Sequence, residues 1–215
     1  MGLEKMSDIL TQPVLTTVFE RFGQEAAHIT QREIHAAWPG NWFKPEHGLA
    51  LGCRETALAN IRGGAVLVNG VWVPSDTDEG VYQITNTVSS NATWLRSVPG
   101  CPNGSFKPDM PGFHSGKVNA LTPAHNPTLS AGLTYTIAEI QANRAQAGPA
   151  GVKPNDVLRF VIAAHNAGFQ GALEGYESGD VDRFTTHGNY SQWCLDNVPA
   201  ITKWLDTHPK WRWTP

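Results

Sequence analysis

A chain of 215 residues is long enough to bury a substantial hydrophobic core and falls within the size range of a single domain. The formal net charge of −3 and the isoelectric point near 6.2 provide no general attraction for nucleic acid or an anionic membrane. The three cysteines are too few for a disulfide scaffold and lack metal-ligand spacing, so they allow one disulfide bond and require none.

The first part of the chain predicts two helices. Apolar residues three to four positions apart predict a helix from Val14 to Trp38. A second helix is expected to begin near Pro45, because proline suits a first helical turn, and to run through Glu55 to Ile61.

The middle of the chain predicts a hairpin and then a loop. Asn69-Gly70 separates two short β-branched runs, which predicts a small β-hairpin near residues 65 to 73. Residues 97 to 128 are rich in Pro, Gly, Asn and Ser and have no periodicity, so we expect a long surface loop.

The last third predicts three more helices, centred near Leu133, Phe160 and Ile201. Pro199 is expected to kink or interrupt the last of them. The predicted fold class is therefore mainly α (α+β), a helical domain with one small hairpin.

Glu55 is the first residue whose surroundings indicate chemistry. Leu51 and Leu58 flank it at helical spacing, so its side chain is expected on the inward face, where burial would raise the pKa of its carboxyl. A carboxyl that stays protonated near neutrality can act as a general acid. From the helix pattern alone, a solvated glutamate or one paired with Arg54 or Arg62 is the more frequent arrangement.

Two later turn segments supply polar groups. Gly80-Val-Tyr-Gln83 follows the hairpin and is expected to present Gln83 as a neutral donor and acceptor near the carboxylates, which suits sugar hydroxyls and N-acetyl groups. His165-Asn-Ala-Gly168 is expected at a helix end, with two polar side chains beside a backbone turn. Taken alone, the first segment is an ordinary turn and the second a helix C-cap. Their order after Glu55 gives them more weight.

These segments together resemble the goose-type lysozyme and soluble lytic transglycosylase family, whose members have a Glu-Ser helix, a Gly-Leu-Met-Gln turn and a Tyr-Asn-Ala-Gly segment. The corresponding segments here are Glu55-Thr56, Gly80-Val-Tyr-Gln83 and His165-Asn-Ala-Gly168. Residues 182 to 191 are similar to the goose-type segment that places a tyrosine, here Tyr190, before the last core helix.

The resemblance spans roughly residues 45 to 205, with departures. Thr56 replaces the usual Ser, His165 replaces the usual Tyr, and Thr85 stands where goose-type enzymes have an Asp after the Gln turn. We expect residues 1 to 44 to form a helical extension packed on a catalytic domain of residues 45 to 215, in one globular unit.

The resemblance implies a lysozyme-like fold that cleaves the β-1,4 bond between N-acetylmuramic acid and N-acetylglucosamine in peptidoglycan. Glu55 would be the acid that protonates the bridging oxygen. The residues that the resemblance implies for glycan binding share one cleft; they are Gly80, Tyr82, Gln83, Ile84, His165, Asn166 and Tyr190.

A second carboxylate would decide between two reactions. An inverting hydrolase needs a base about 6.5 to 9.5 Å from the acid to activate water. Asp76 is the preferred base and Asp78 the alternative, although both also suit a solvated turn. A lytic transglycosylase needs no such base, because the muramyl 6-hydroxyl attacks and leaves a 1,6-anhydro product.

No cofactor or metal is expected, since His28 and His35 have no third ligand at zinc-site spacing. The expected partner is the peptidoglycan glycan strand, met by a monomer without membrane insertion. The sequence shows no secretory signal and no run of ~20 apolar residues. This favours a bacteriophage lysin released by the host lysis machinery or carried on the virion, or one domain of a longer protein.

Two alternatives from other classes stay open. A glycan-binding or structural virion module could keep the fold without catalysis, and binding without cleavage would identify it. A chitinase-like enzyme would act on chitin but not on wall polymer.

Overall fold

The computed structural model describes residues 16–56, 58, 65–68, 71–74, 78–79, 81–82, 84–85 and 127–215. For the strands and the first turns of the first and third helices, the description covers the backbone. The five α-helices of the described part are α1 Thr16–Ala37, α2 Pro45–Thr56, α3 Pro127–Ala147, α4 Val157–Glu177 and α5 Tyr190–Thr207. Short 3₁₀ turns lie at Pro154–Asp156, Thr186–Gly188 and Pro209–Trp211. The predicted mainly α class is confirmed within these ranges.

Two short antiparallel ladders lie between α2 and α3. Strand β1 (Ala65–Val68) pairs with β2 (Val71–Pro74) at the position of the predicted hairpin. Strand β3 (Asp78–Glu79) pairs with β4 (Ile84–Thr85). Residues 97 to 126 of the predicted loop lie outside the described residues.

The end of α2 differs from the sequence prediction. The helix begins at Pro45 as expected but ends at Thr56 instead of Ile61. Leu58 adopts a left-handed φ of 62°, and its N–H bonds to the Gly52 carbonyl at 3.0 Å, which turns the chain off the helix axis. Leu58 is therefore not a helical neighbour of Glu55 as predicted. Its side chain is nevertheless buried.

Gly52 makes this turn sterically acceptable. A Cβ there would lie 2.7 Å from Cδ2 of Leu58 and 3.1 Å from Cγ1 of Val81. Because only glycine leaves this space, Leu58 and the turn at residues 81 and 82 can pack directly against α2, next to Glu55.

One hydrophobic core joins all five helices. It is formed by buried side chains from each helix together with Leu58, Val81 and Tyr82. Helix α2 contacts both α1 and α5, while α3 packs on α4. This arrangement holds the C-terminal end of α2 against the start of α5. No helix in the described ranges is long and apolar enough to cross a membrane.

The two interior helix-breaking residues behave differently. Helix α4 contains a break at Gly168, whose φ of 73° and ψ of 162° favour glycine, so the His165-Asn-Ala-Gly168 segment changes the helix direction instead of ending it. Helix α5 runs without interruption through Pro199, with Cys194 and Ile201 buried on either side of the proline. Packing of this face therefore preserves the helix despite the lost N–H donor.

Candidate active site

Glu55 and Tyr190 form the centre of the candidate site. Glu55 is half-buried near the end of α2, and Tyr190 opens α5 with a buried side chain. The Tyr190 hydroxyl donates a short hydrogen bond to Oε1 of Glu55. Burial and the Glu55 carboxylate raise the pKa of Tyr190 well above its ordinary value. The phenol therefore remains protonated and able to donate.

His165 lies beside Tyr190. The two ring centroids are 6.5 Å apart, and the His165 side chain is 3% exposed. Its Nδ1 is 2.7 Å from Oε2 of Glu139, a residue of α3. Burial alone would lower the pKa of His165, but the carboxylates of Glu139 and Glu55 and a hydrogen bond to the Tyr82 backbone raise it. The net result is a pKa of His165 above its ordinary value, on a buried ring close enough to the candidate acid to feel its charge.

The burial of Tyr82 corrects one sequence prediction, and the same correction applies to Tyr190 and His165, which were also predicted to contact the glycan. The resemblance implied that it contacts the glycan, yet its side chain is 1% exposed and its hydroxyl shares a 2.5 Å hydrogen bond with Oγ1 of Thr30. The ring packs into the core because Gly52, which has no side chain, leaves space for the 81–82 turn. The backbone of Tyr82 supports the site through its hydrogen bond with His165.

Arg54 is directed toward α5. Its guanidinium lies 5.2 Å from the Trp193 ring centroid and 5.9 Å from that of Tyr190, and Nη2 donates to Oδ1 of Asn189 at 3.4 Å. These contacts brace the end of α2 against the start of α5, around the pair of Glu55 and Tyr190.

Asn166 also has a structural partner. Its Oδ1 accepts a 2.7 Å hydrogen bond from the backbone N–H of Thr186, in the turn that precedes Tyr190. The His-Asn-Ala-Gly segment therefore positions both sides of the site: His165 faces Glu55, and Asn166 holds the segment leading into α5.

Asp182 fixes the start of α5, a role that the sequence did not reveal. Its buried carboxylate accepts hydrogen bonds from the backbone N–H and the hydroxyl of Ser191, both at 2.7 Å, and from Gln192 N–H at 3.1 Å. Arg159 adds an ion pair at 3.0 Å. Burial alone would raise the pKa of Asp182, but these bonds hold it below the ordinary value. Tyr190, next to Ser191, is thereby held in register.

The structure does not place several of the predicted site residues. Asp76, Gly80 and Gln83 lie outside the described residues. The structure gives the backbone of Asp78 and Ile84. In the β3–β4 ladder, Asp78 pairs with Thr85 and Ile84 pairs with Glu79. The predicted base and glutamine donor therefore stay predictions.

Glu139 is the site residue that sequence reasoning missed. It belongs to an inward polar stripe of α3 together with Thr136 and Asn143, which are 1% and 3% exposed. Polar residues at this helical spacing within an otherwise apolar helix were the available signal. His165 itself was a second signal, because a buried imidazole needs an acceptor.

The buried thiols are not suited to nucleophilic chemistry. Cys53 and Cys194 are free and buried. Burial raises the pKa of Cys53 to about 12, so its reactive thiolate is not populated near neutrality. In the described part of the chain, no three His, Cys, Asp or Glu side chains are grouped to hold a metal.

A separate cavity of about 630 Å³ is lined by residues at the start and the end of α4 and in the segments that flank it. Lys153, Asp156, Arg159 and Tyr176 contribute to its lining, but Glu55 does not. Charges of both signs line it, so it favours no particular ligand charge.

Comparisons with models of known families, with curated proteins and with solved structures find no significant match. The candidate site therefore rests on its own geometry: a half-buried carboxyl oriented by a phenol and faced by a buried imidazole.

Proposed function

We propose that this protein is a peptidoglycan-degrading glycosidase that cleaves the β-1,4 bond between N-acetylmuramic acid and N-acetylglucosamine, with Glu55 as the general acid. The observation that carries the proposal is the meeting of Glu55 with Tyr190 and His165. These residues come from three distant segments that sequence motifs had singled out separately.

The chemistry of this cluster suits proton donation to a glycosidic oxygen. A donor must be held in one orientation, and the Tyr190 hydroxyl fixes one oxygen of Glu55. Partial burial near α5 limits competing water around the carboxyl. A lysozyme-like fold belongs to the same proposal, as does delivery to the wall as a phage lysin or virion component.

The reaction after protonation has two candidates. A hydrolase would use Asp76 or Asp78 as the base. A lytic transglycosylase would use Glu55 alone. Glu139, the second carboxylate in the cluster, is bonded to His165 and does not replace either candidate base.

The deciding experiment is digestion of purified peptidoglycan with the intact chain, followed by mass spectrometry of the released muropeptides. Reducing-end muramic acid would support a hydrolase, and 1,6-anhydromuramic acid a lytic transglycosylase. Unchanged glycan would overturn the enzymatic proposal. Cosedimentation of the chain with that glycan would then support the binding module, and cleavage of chitin alone the chitinase-like enzyme.

A further inference from the structure

His165 is surrounded by hydrogen-bond acceptors and acidic groups. Glu139 of α3 contacts it at 2.7 Å, and Glu55 of α2, which accepts from the neighbouring Tyr190, acts on it electrostatically. The Tyr190 ring lies beside it from α5, and the Tyr82 backbone accepts from it at the 81–82 turn. A carboxylate and a backbone carbonyl are both acceptors, and an imidazole donates from both nitrogens only when it is protonated.

Burial strengthens the electrostatic interaction between His165 and Glu139. The His165 side chain is 3% exposed and that of Glu139 is 16% exposed, so water screens the pair weakly. A single carboxylate would neutralise the imidazolium. Glu139 is the carboxylate that makes the direct hydrogen bond, and Glu55 is the second acidic group that acts on the ring.

We infer that Glu139 is a positioning residue that keeps His165 charged and oriented beside Glu55, and that this buried positive charge stabilises the Glu55 carboxylate formed during catalysis. The inference rests on the proposed function. In the step concerned, the carboxyl proton of Glu55 moves to the bridging oxygen as the bond from that oxygen to the muramyl C1 breaks, and water or the muramyl 6-hydroxyl then forms the new bond to C1. Negative charge then appears on Glu55, facing the His165 imidazolium.

The first test reads the charge of His165 without using activity. The imidazole signals of the full chain are followed by NMR as a function of pH, and His165 is assigned among the eight histidines by its loss in His165→Gln. In the wild type, His165 should titrate above the ordinary value of 6.5. In Glu139→Gln, which keeps the shape and removes the charge, the titration should move to lower pH. A wild-type His165 that is neutral at pH 6.5 would overturn the inference even if the variant did not fold.

The second test is the pH dependence of kcat and KM on peptidoglycan. Glu139→Gln should lower kcat about tenfold or more on the alkaline side, the scale of one pKa unit of charge interaction, and leave KM close to wild type. The loss of kcat in the variant should be largest between the pH at which His165 titrates in Glu139→Gln and the higher pH at which it titrates in the wild type, both read by NMR. A merely structural role for Glu139 would lower activity equally at every pH, and this result would overturn the inference.

The matched control is Glu174→Gln on the exposed face of α4, where the Glu174 carboxylate accepts a hydrogen bond from Gln170 one turn away. It removes the same charge far from the cluster and should change neither readout. If the wild type cleaves no peptidoglycan, the proposed function fails and the catalytic half of the inference fails with it, while the NMR titration still decides whether Glu139 charges His165. If the wild type cleaves but His165 titrates identically in Glu139→Gln, the inference alone fails.

Discussion

The Tyr190 hydroxyl donates a hydrogen bond to Oε1 of Glu55 across 135 positions of sequence. The contact forms because the end of α2 packs against the start of α5. Two further interactions reinforce that packing: Arg54 lies over Trp193, and Asp182 fixes the first turn of α5. The orientation of the candidate acid is therefore a property of the helix packing as a whole.

Replacing Glu55 by Gln should abolish most activity while preserving the fold. Glutamine is nearly isosteric and can still accept from Tyr190, but it has no ionisable proton to donate. Loss of a general acid typically lowers the rate ~10²-fold to 10⁴-fold. The measurement is the initial rate of wall digestion beside a thermal melt. Glu33→Gln, on the exposed face of α1 beside Arg32, is the control and should remain fully active. A folded, active Glu55→Gln variant would exclude Glu55 as the acid.

Replacing Tyr190 by Phe should weaken catalysis without removing the acid. The change deletes one hydrogen bond to a charged or ionisable carboxyl, worth about 1.5 to 3 kcal/mol, which corresponds to roughly 10-fold to 100-fold in kcat. Steady-state rates on solubilised glycan strands measure the effect.

The matched control is Tyr176→Phe, which deletes a phenol that donates to Asp156 at 2.8 Å, away from Glu55. It should affect stability and leave kcat unchanged. Equal rates for Tyr190→Phe and wild type would mean that the hydroxyl does not orient the acid.

The sequence predicted a helix correctly where the spacing of its apolar residues is enough to determine its extent. Helix α1 ends at Ala37, close to the predicted Trp38, because local periodicity and the following Pro39 suffice. The predicted end of α2, by contrast, was wrong. It depends on Leu58 folding back over Gly52 beside Val81, a tertiary contact that no helical pattern contains.

The same distinction applies to the site. Motif order selected Glu55, His165 and Tyr190, whose side chains lie near one another in the structure. The glycan contacts predicted for His165 and Tyr190 do not fit their buried side chains. The roles of Glu139 and Tyr82 were missed or misassigned, since each depends on which side of a helix or turn meets the core. Burial of a single side chain is set by packing, and a motif does not encode it.

Replacing Asp182 by Ala should destabilise the fold by about 3 kcal/mol, because several hydrogen bonds to a buried carboxylate are lost together. The folded-state pKa of Asp182 is lowered from 3.8, so its stabilising effect is present above that value and is lost as pH falls through the folded-state pKa. The difference in unfolding free energy between wild type and variant should therefore shrink at acid pH. Urea unfolding over a pH series measures it.

Asp196→Ala serves as the control for this variant, since Asp196 is exposed and pairs with Gln192 one turn away. This variant should lower the free energy of unfolding by only about 0.3 to 0.5 kcal/mol. A similar small cost for Asp182→Ala would mean that the start of α5 does not depend on this carboxylate.

His47 should make the N-terminal end of α2 sensitive to acid. Its Nδ1 accepts the Lys44 N–H at 2.8 Å, and burial, followed by the charge of Lys44, lowers its pKa from 6.5 to about 4. Between these values the unfolded chain takes up a proton that the folded chain does not, so stability falls as the pH drops from 6.5 to about 4. The loss amounts to at most about 3 kcal/mol. His47→Gln should flatten this part of the stability profile, because glutamine at the third helical position can accept the same N–H without titrating. Denaturant unfolding across the window measures the effect, with exposed His35→Gln as the control, and parallel profiles for His47→Gln and wild type would exclude His47 as its origin.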